Sequence, residues 1–508
     1  MKRREFSFVR FARVKSLDAV LATAGRNSLH RSLGALQLTL LGVGGIIGTG
    51  IFVLTSEAAQ KAGPGMLVSF VISGAVCAVA ALCYSEIASM VPVAGSAYTY
   101  TYAVLGELLA WLVGWALVLE YAVAASAVSV GWAGYFAGQL RGWFGIDMPH
   151  GLINGPFEGG IINLPAVVIS LLVTALLIIG TQESARVNAL LVGVKVLALA
   201  LFVVLALPAM HRENFEPFMP LGWASGDGAG VFGAAASIFF AYVGFDAVST
   251  AAEETINPQR NVPLGLIGSL AICTVFYILV AAGAIGSPLG SQPVMSAVGE
   301  WLSPGSVALA ERCSALVAAG TREPLACSHE ALAHALREIG YLKVGNLIGL
   351  AAFLALPSVI LVMIYGQTRM FFVMSRDGLL PERFSKVHPR WKTPHVITWI
   401  TGIGVTLAAA FLPVGKLADI SNAGTLFAFV AVALAVLILR RTEPGRPRPF
   451  RTPLVWLVAP LTIIGCVTLY WRLPFDARMV LPIWGGIGLA LYFAYGYRNS
   501  HVGRGIAL

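Results

Sequence analysis

The chain is predicted to be an all-α membrane protein of about twelve transmembrane helices, built as a 5+5 inverted repeat plus two extra helices. Three observations predict this. Of its 508 residues 57% are hydrophobic and only 12% charged, outside the range of soluble globular domains. Apolar runs recur along almost the whole chain, each the ~20 residues needed to cross about 30 Å of hydrocarbon. Two of these runs, five apart in order, are broken by glycine at corresponding places, the pattern of paired interrupted helices in transporter repeats.

The runs lie at about 37–58, 67–92, 106–139, 162–181, 187–208, 231–254, 264–287, 345–372, 394–413, 418–439, 453–472 and 479–497. The third is long enough to be tilted. The transmembrane domain then covers about 34–500, with repeat one at about 37–208, repeat two at about 231–440 and the extra helices at about 453–497. An odd number of spans per repeat makes the second copy inverted. A basic segment, 1–33, precedes the domain, and a short tail, 501–508, follows it. The first run is too long for a signal-peptide core and has no small-residue cleavage pattern after it, so no cleaved signal is expected.

Basic residues set the orientation. They crowd into the N-terminal segment (Lys2, Arg3, Arg4, Arg10, Arg13, Lys15), the 8–9 connection (Arg376, Arg383, Lys386, Arg390) and the 10–11 connection (Arg440, Arg441, Arg446, Arg448, Arg451). This bias puts both termini in the cytoplasm, with the long 288–344 connection outside. The net charge of +9 is then met by anionic lipid headgroups, and no nucleic-acid partner is implied. The expected partners are membrane lipid and a small-molecule substrate; nothing in the sequence fixes an accessory subunit or an oligomeric state.

Four cysteines, Cys77, Cys83, Cys273 and Cys466, fall in spans, as small packing residues do. Cys313 and Cys327 lie together in the 288–344 connection, where a disulfide is possible if that face is oxidising. The same connection is read as a short outer cap with a helix-like stretch from Ser328 to Glu338 and no chemistry of its own. Its H-E-A-L-A-H string (His329–His334) is one residue too long for a zinc HExxH, so no metal site is expected. No Walker A motif, nucleophile–base pair or metal cluster is apparent, which points away from ATP-driven transport and from an enzyme.

Span 1 contains Gly42–Phe52, GVGGIIGTGIF, with five glycines in nine residues. Each weakens a helix by about 1 kcal/mol relative to alanine. In lipid a broken helix persists only where the freed N–H and C=O groups line a protected cavity. N–H groups around Gly48, Thr49 and Gly50, at the positive end of an outer half-helix, suit a carboxylate. Carbonyls of Ile46 and Ile47, at the end of the inner half, suit an ammonium. Span 6 matches it with Phe239–Val248, FFAYVGFDAV. Carbonyls near Phe240 and Ala241 complete the ammonium site, and Phe240, Tyr242 or Phe245 shapes or gates a side-chain pocket. Asp246 is either the N-cap of the second half-helix or a substrate contact.

Two charged residues lie at membrane depth. Lys195 sits in span 5 about 13 Å from its start, too deep to snorkel. Burial penalises the charged form of a lysine, which makes proton release and uptake feasible there. Lys195 is therefore the candidate carrier of a coupling proton, in place of a sodium ion. Glu120, in span 3, is a pocket or near-pocket residue that bears on specificity, with a modest lean toward cationic substrates. Glu86 and the Glu253–Glu254 pair either meet basic residues in an inner gate or are solvated helix ends.

GIIGTGIF, YSEIASMVPVAGSAYTYTY, WLVGWALVLEYAVAASAVSVGW, ESARVNALLVGVK, FFAYVGFDAVSTAAEETINPQRNVP and YGQTRMFFVMSRDGLLP resemble, in order, the cationic amino acid transporter family of the amino acid–polyamine–organocation (APC) superfamily. The twelve-span count is similar to its bacterial members. The resemblance implies a leucine-transporter-like fold with substrate held by the unwound middles of spans 1 and 6. On this chain those are Ile46, Ile47, Gly48, Thr49 and Gly50, with Phe240, Ala241, Tyr242, Gly244 and Phe245. It implies that Lys195 stands near the place of a coupling sodium, and that Glu120 matches a recurring acidic position. It implies transport of small neutral or cationic L-amino acids and no cofactor other than a coupling proton. The expected function is a proton-coupled symporter; an amino acid or polyamine exchanger and, more remotely, a non-transporting amino acid sensor are the alternatives.

Overall fold

A computed structural model describes residues 13–15, 17, 33–92, 96–180, 185–287, 290–391 and 393–505, with the side chains of 185, 186, 188, 247, 250 and 253 excepted. Among the described residues eight helices are long and apolar enough to cross a membrane, and four shorter apolar helices (Ala35–Ile46, Leu164–Ile179, Gly230–Tyr242 and His395–Phe411) complete twelve crossings. No β-strand occurs among them; a few isolated bridges do, such as Leu33 with Thr255. Leu172, Val204, Leu347, Ile464 and Ile483 are among many large apolar side chains exposed on the helices. In water that surface would be costly; facing lipid it is the expected exterior.

Span 1 is Ala35–Ile46 followed by Thr49–Phe52 and Leu54–Ala62. Span 2 is Met66–Met90, span 3 Glu107–Phe144, span 4 Leu164–Ile179 and span 5 Ala185–Ala206. Span 6 is Gly230–Ile238, a 3-10 stretch Phe239–Tyr242, and Ala247–Thr250. Span 7 is Pro258–Ile285, span 8 Leu342–Arg376, span 9 His395–Phe411 and span 10 Val414–Thr442. Spans 11 and 12, Val455–Arg472 and Phe475–Leu491, are the extra pair.

The packing has a pseudo-two-fold. Span 1 meets span 6, span 2 meets span 7, span 3 meets span 8, and span 4 meets span 9. The remaining contacts come in matched sets: spans 3 and 10 pack as spans 8 and 5 do, and spans 1 and 7 as spans 6 and 2 do. Such pairing is what two copies of a five-helix unit produce when they are related by an axis in the membrane plane. Span 12 docks outside this core on span 3. Trp115 and Trp484 stack at 4.6 Å and each indole N–H donates to the other's carbonyl, at 2.9 and 2.7 Å. Buried indole N–H groups need such partners.

The first and last described segments lie on one face. Arg13 donates to the Tyr497 carbonyl (2.8 Å) and pairs with Glu107 (3.3 Å), while Lys15 pairs with Asp377 (3.3 Å). Leu17 is buried. Where described, then, the N-terminal segment is clasped to protein; the rest of 1–33 lies outside the described residues, as does 506–508 of the tail. On the same face Glu86, at the end of span 2, is buried and takes a bidentate pair from Arg440 (2.7 and 2.8 Å), with Arg448 at 3.3 Å. The solvated-end alternative for Glu86 is thus replaced by a lock between span 2 and the end of span 10.

The 288–344 connection is more than a cap. It contains a helix not anticipated from sequence, Val307–Ala318, started by the Ser306 hydroxyl accepting from Leu309 N–H (3.3 Å), and a second, Ala331–Glu338. The six residues Ala331–Leu336 are buried against the spans. The connection also grips the Leu54–Ala62 half of span 1: Gln60 donates to the Val294 and Leu302 carbonyls (2.9 and 2.7 Å) and accepts from Val294 N–H (2.7 Å), and Trp301 donates to the Gln60 carbonyl (2.8 Å). His334 bonds the Glu323 carbonyl (3.0 Å), an ordinary satisfied histidine. Cys313 and Cys327 form a disulfide. It closes a loop with a sequence separation of 14, for which chain entropy alone gives about 3 kcal/mol. Arg322, inside that loop, is exposed. Reduction of the intact protein should therefore speed tryptic cleavage after Arg322, read by mass spectrometry. Unchanged cleavage would mean that packing alone holds the loop.

Candidate functional site

Span 1 stops being a helix at Ile47, whose backbone is extended (φ −72°, ψ 97°), and restarts after Gly48 (φ −148°, ψ −149°). A continuous helix would return N–H groups to the carbonyls one turn earlier. The break withdraws those donors, and the structure supplies others. Gly44 O, which Gly48 N–H would have met, accepts from Lys195 Nζ at 3.0 Å. Ile46 O, which Gly50 N–H would have met, accepts from the Tyr277 hydroxyl at 2.9 Å. The N–H groups at the start of the Thr49–Phe52 helix have no turn before them to bond to.

Span 6 breaks beside it. Val243 is extended (φ −59°, ψ 138°) and Gly244 has φ +108°, a backbone region closed in practice to other residues. The two breaks touch. A Cβ on Gly244 would lie 2.9 Å from Gly45 O, and one on Gly50 would lie 2.3 Å from Ala241 Cα. Tyr277 spans both, since its hydroxyl is also 2.9 Å from Ala241 O. A tyrosine has one hydroxyl proton, so at any instant one of the Ile46 and Ala241 carbonyls lacks that donor. An ammonium placed there has an acceptor waiting.

The expected site residues therefore separate into two groups. Ile46, Gly48, Thr49, Gly50, Ala241 and Gly244 meet at the paired breaks, with Ile47 beside them and Lys195, buried at 1% exposure, beneath. Phe240 stands at the break with its carbonyl taken by Val243 N–H (3.1 Å). Tyr242 is turned away: its hydroxyl donates to Phe70 O (2.9 Å) and its ring packs on Tyr277 (5.3 Å). Phe245 packs on Phe429 (5.2 Å) and Tyr84 (6.0 Å). Asp246 is buried and begins the Ala247–Thr250 helix, but its side chain makes no cap hydrogen bond there, so the N-cap reading does not hold. Glu120 is buried opposite span 10, across Gly424, with both carboxylate oxygens lacking a hydrogen-bond partner among the described residues. The nearby Thr425 hydroxyl is turned to Ser421 O (3.3 Å). Glu120 and Asp246 lie within electrostatic reach of one another, beside Tyr84. The side chain of Glu253 lies outside the described residues.

Sequence reasoning missed Tyr277, Tyr135 and Val359. Tyr135 of span 3 donates to Phe52 O (2.8 Å) and fixes the restarted helix; Val359 of span 8 faces Gly48, 3.6 Å from where a Cβ would stand. The signal for Tyr277 was available, because a tyrosine in the middle of an apolar span must find an acceptor for its hydroxyl.

The amino acid permease family model matches residues 33–482, and with it both breaks and Lys195. This chain belongs to the amino acid permease family. The permease is 44% identical over 499 residues (97% of this chain and 99% of the relative) to the branched-chain amino acid permease BcaP of Bacillus subtilis. It is 40% identical over 492 residues (96% and 98%) to the methylthioribose transporter of the same organism. Cationic amino acid transporter 4 of Homo sapiens is 33% identical over 436 residues, 83% of this chain and 62% of that protein. Amino acid transport across the cell membrane, by a multi-pass protein that is not an enzyme, is the activity this membership carries.

Two glycines of the permease's first break should respond oppositely to one methyl group. Gly50→Ala puts a Cβ into the span 6 backbone and should abolish transport and lower the yield of folded protein. Gly48→Ala meets only Val359 at ordinary contact distance and should keep the folded yield close to that of the native protein. Size-exclusion profiles and vesicle uptake of the two variants check this.

Proposed function

We propose that this permease imports small L-amino acids by alternating access in symport with a proton, with both termini in the cytoplasm. The substrate's carboxylate rests on the free N–H groups at the restart of span 1, at the positive end of that half-helix. Its ammonium rests on the carbonyls at Ile46, Ile47 and Ala241. Branched, apolar side chains are favoured over cationic ones. Support comes from the identity to a branched-chain permease over almost all of both chains, and from apolar Val359 facing Gly48. Glu120, directed at span 10, acts on the site from behind.

The observation that carries the coupling is the Lys195–Gly44 bond at the break. Protonated, Lys195 makes a charge-assisted bond, roughly twice as strong as a neutral one. Loss of the proton weakens the tie between span 5 and the inner half of span 1 and frees that half to move. Lys195→Gln or Lys195→Met should abolish accumulation driven by an inward proton gradient in reconstituted vesicles while leaving counterflow measurable. Full gradient-driven accumulation by either variant would remove Lys195 from that role, and proton-independent counterflow by the native protein would favour an exchanger.

The 40% identity to a methylthioribose transporter supports a second reading. Methylthioribose has neither ammonium nor carboxylate and would leave the polarity of the two breaks unused. A thermal-shift screen of the purified permease against all amino acids and methylthioribose separates the two. A ligand at 100 times its Kd stabilises by about 2.7 kcal/mol. Leucine, isoleucine and valine are expected to raise the melting temperature; a shift with methylthioribose alone would replace this reading.

A further inference from the structure

We infer that the end of the pathway opposite the termini is closed and opened by a partner exchange at Lys61, whose ammonium passes between Asp419 of span 10 and Glu57 of its own helix. The inference rests on the alternating-access reading above and names the groups that perform its outer step.

Lys61 ends the outer half of span 1 and is 3% exposed. Its Nζ donates to Asp419 Oδ2 at 3.0 Å and to Ser237 Oγ at 2.5 Å, and the Ser237 hydroxyl donates to the other Asp419 oxygen. The triad joins three elements: the outer half of span 1, the first half of span 6, and span 10. One turn further along span 10, Asn422 donates to the Ala236 and Ser237 carbonyls (2.8 and 3.1 Å) and strengthens the same joint. Directly outside lies a cavity of about 480 Å³ whose lining includes Glu57, Lys61, Asp419 and Lys416. The triad is thus the floor of an outer vestibule.

Opening that floor means separating Lys61 from Asp419. An ammonium left alone in such surroundings is strongly disfavoured, so the step needs a second acceptor that travels with the lysine. Glu57 is four residues earlier on the Leu54–Ala62 helix. That spacing, with the acid N-terminal to the base, is the favourable one for a helical ion pair. Glu57 is buried, and its Oε2 has no hydrogen-bond partner among the described residues. It packs on Gly415 of span 10, where a Cβ would lie 2.3 Å from its carboxylate. A buried acid with an idle oxygen is a cost in the closed form. The exchange explains it, because the oxygen is idle only while Asp419 holds Lys61. On opening, Lys61 turns to Glu57, and Asp419, left on span 10, is hydrated by the water that enters.

Hydrogen–deuterium exchange of the full-length protein in lipid nanodiscs tests this, read on peptides covering 54–62 and 230–238. Asp419→Asn removes the closed-state acceptor and should raise exchange in both peptides by about threefold or more. Glu57→Gln removes the open-state acceptor and should lower exchange below the native level. Movement of the two variants in the same direction, or of neither, overturns the inference. Should Asp419→Asn not fold, the paired change Lys61→Met with Asp419→Leu keeps an apolar closure and should also exchange below native; exchange at or above native would overturn the inference. These readouts need no substrate, so a native protein that transports no amino acid would overturn the functional reading separately.

Discussion

The structure depends on how the backbone carbonyls freed at the end of a severed helix, Gly44 O and Ile46 O among them, are satisfied in a medium without water. Each unmet C=O in hydrocarbon costs several kcal/mol. Span 1 answers with a lysine from span 5 on Gly44 O and a tyrosine from span 7 on Ile46 O. These bonds make the break possible, and they also decide which helices surround it. Span 5 and span 7 must approach span 1 within hydrogen-bond reach, and the neighbouring break in span 6 is drawn in through the second contact of Tyr277.

The glycine pattern then reads as geometry. Gly45 and Gly244 face each other backbone to backbone, and Gly50 lies against Ala241, so the two severed helices touch where most helices are kept apart by side chains. Close contact of this kind leaves the polar groups of both breaks in one small region. The second half of span 1, past the break, is held to span 3 through Tyr135 and to the 288–344 connection through Gln60.

Much of this was legible in the sequence. Twelve apolar runs gave twelve helices because lipid permits few other solutions, and the breaks fell at the glycine cluster of span 1 and at Gly244 of span 6. Lys195 was legible because a cation at that depth has no cheap alternative. What escaped were partners set by three-dimensional approach. Tyr242 and Tyr277 are both tyrosines near mid-membrane, yet only the packing tells which one serves the break and which serves span 2. Asp246 could be read as a cap or a substrate contact, and the absence of a side-chain cap hydrogen bond on the Ala247–Thr250 helix is set by packing that the sequence does not display. The Val307–Ala318 helix was hidden by flanking Pro, Gly and Ser, and the burial of Ala331–Leu336 depends on spans far away in sequence.

The lock of Glu86 on Arg440 and Arg448 has a mechanical consequence. It pins the far end of span 10, while the other end is held by Asp419. The 21 positions from Asp419 to Arg440 make a lever about 32 Å long at 1.5 Å per residue. With the fulcrum at Arg440, a tilt of only about 5° carries the free end through about 3 Å on a lever of that length. Added to the 3.0 Å of the formed Lys61–Asp419 pair, travel of that size would put the two beyond hydrogen-bond reach. A rigid rod held at one bearing would thus turn a slight rocking of the bundle into a parting of charges at its tip.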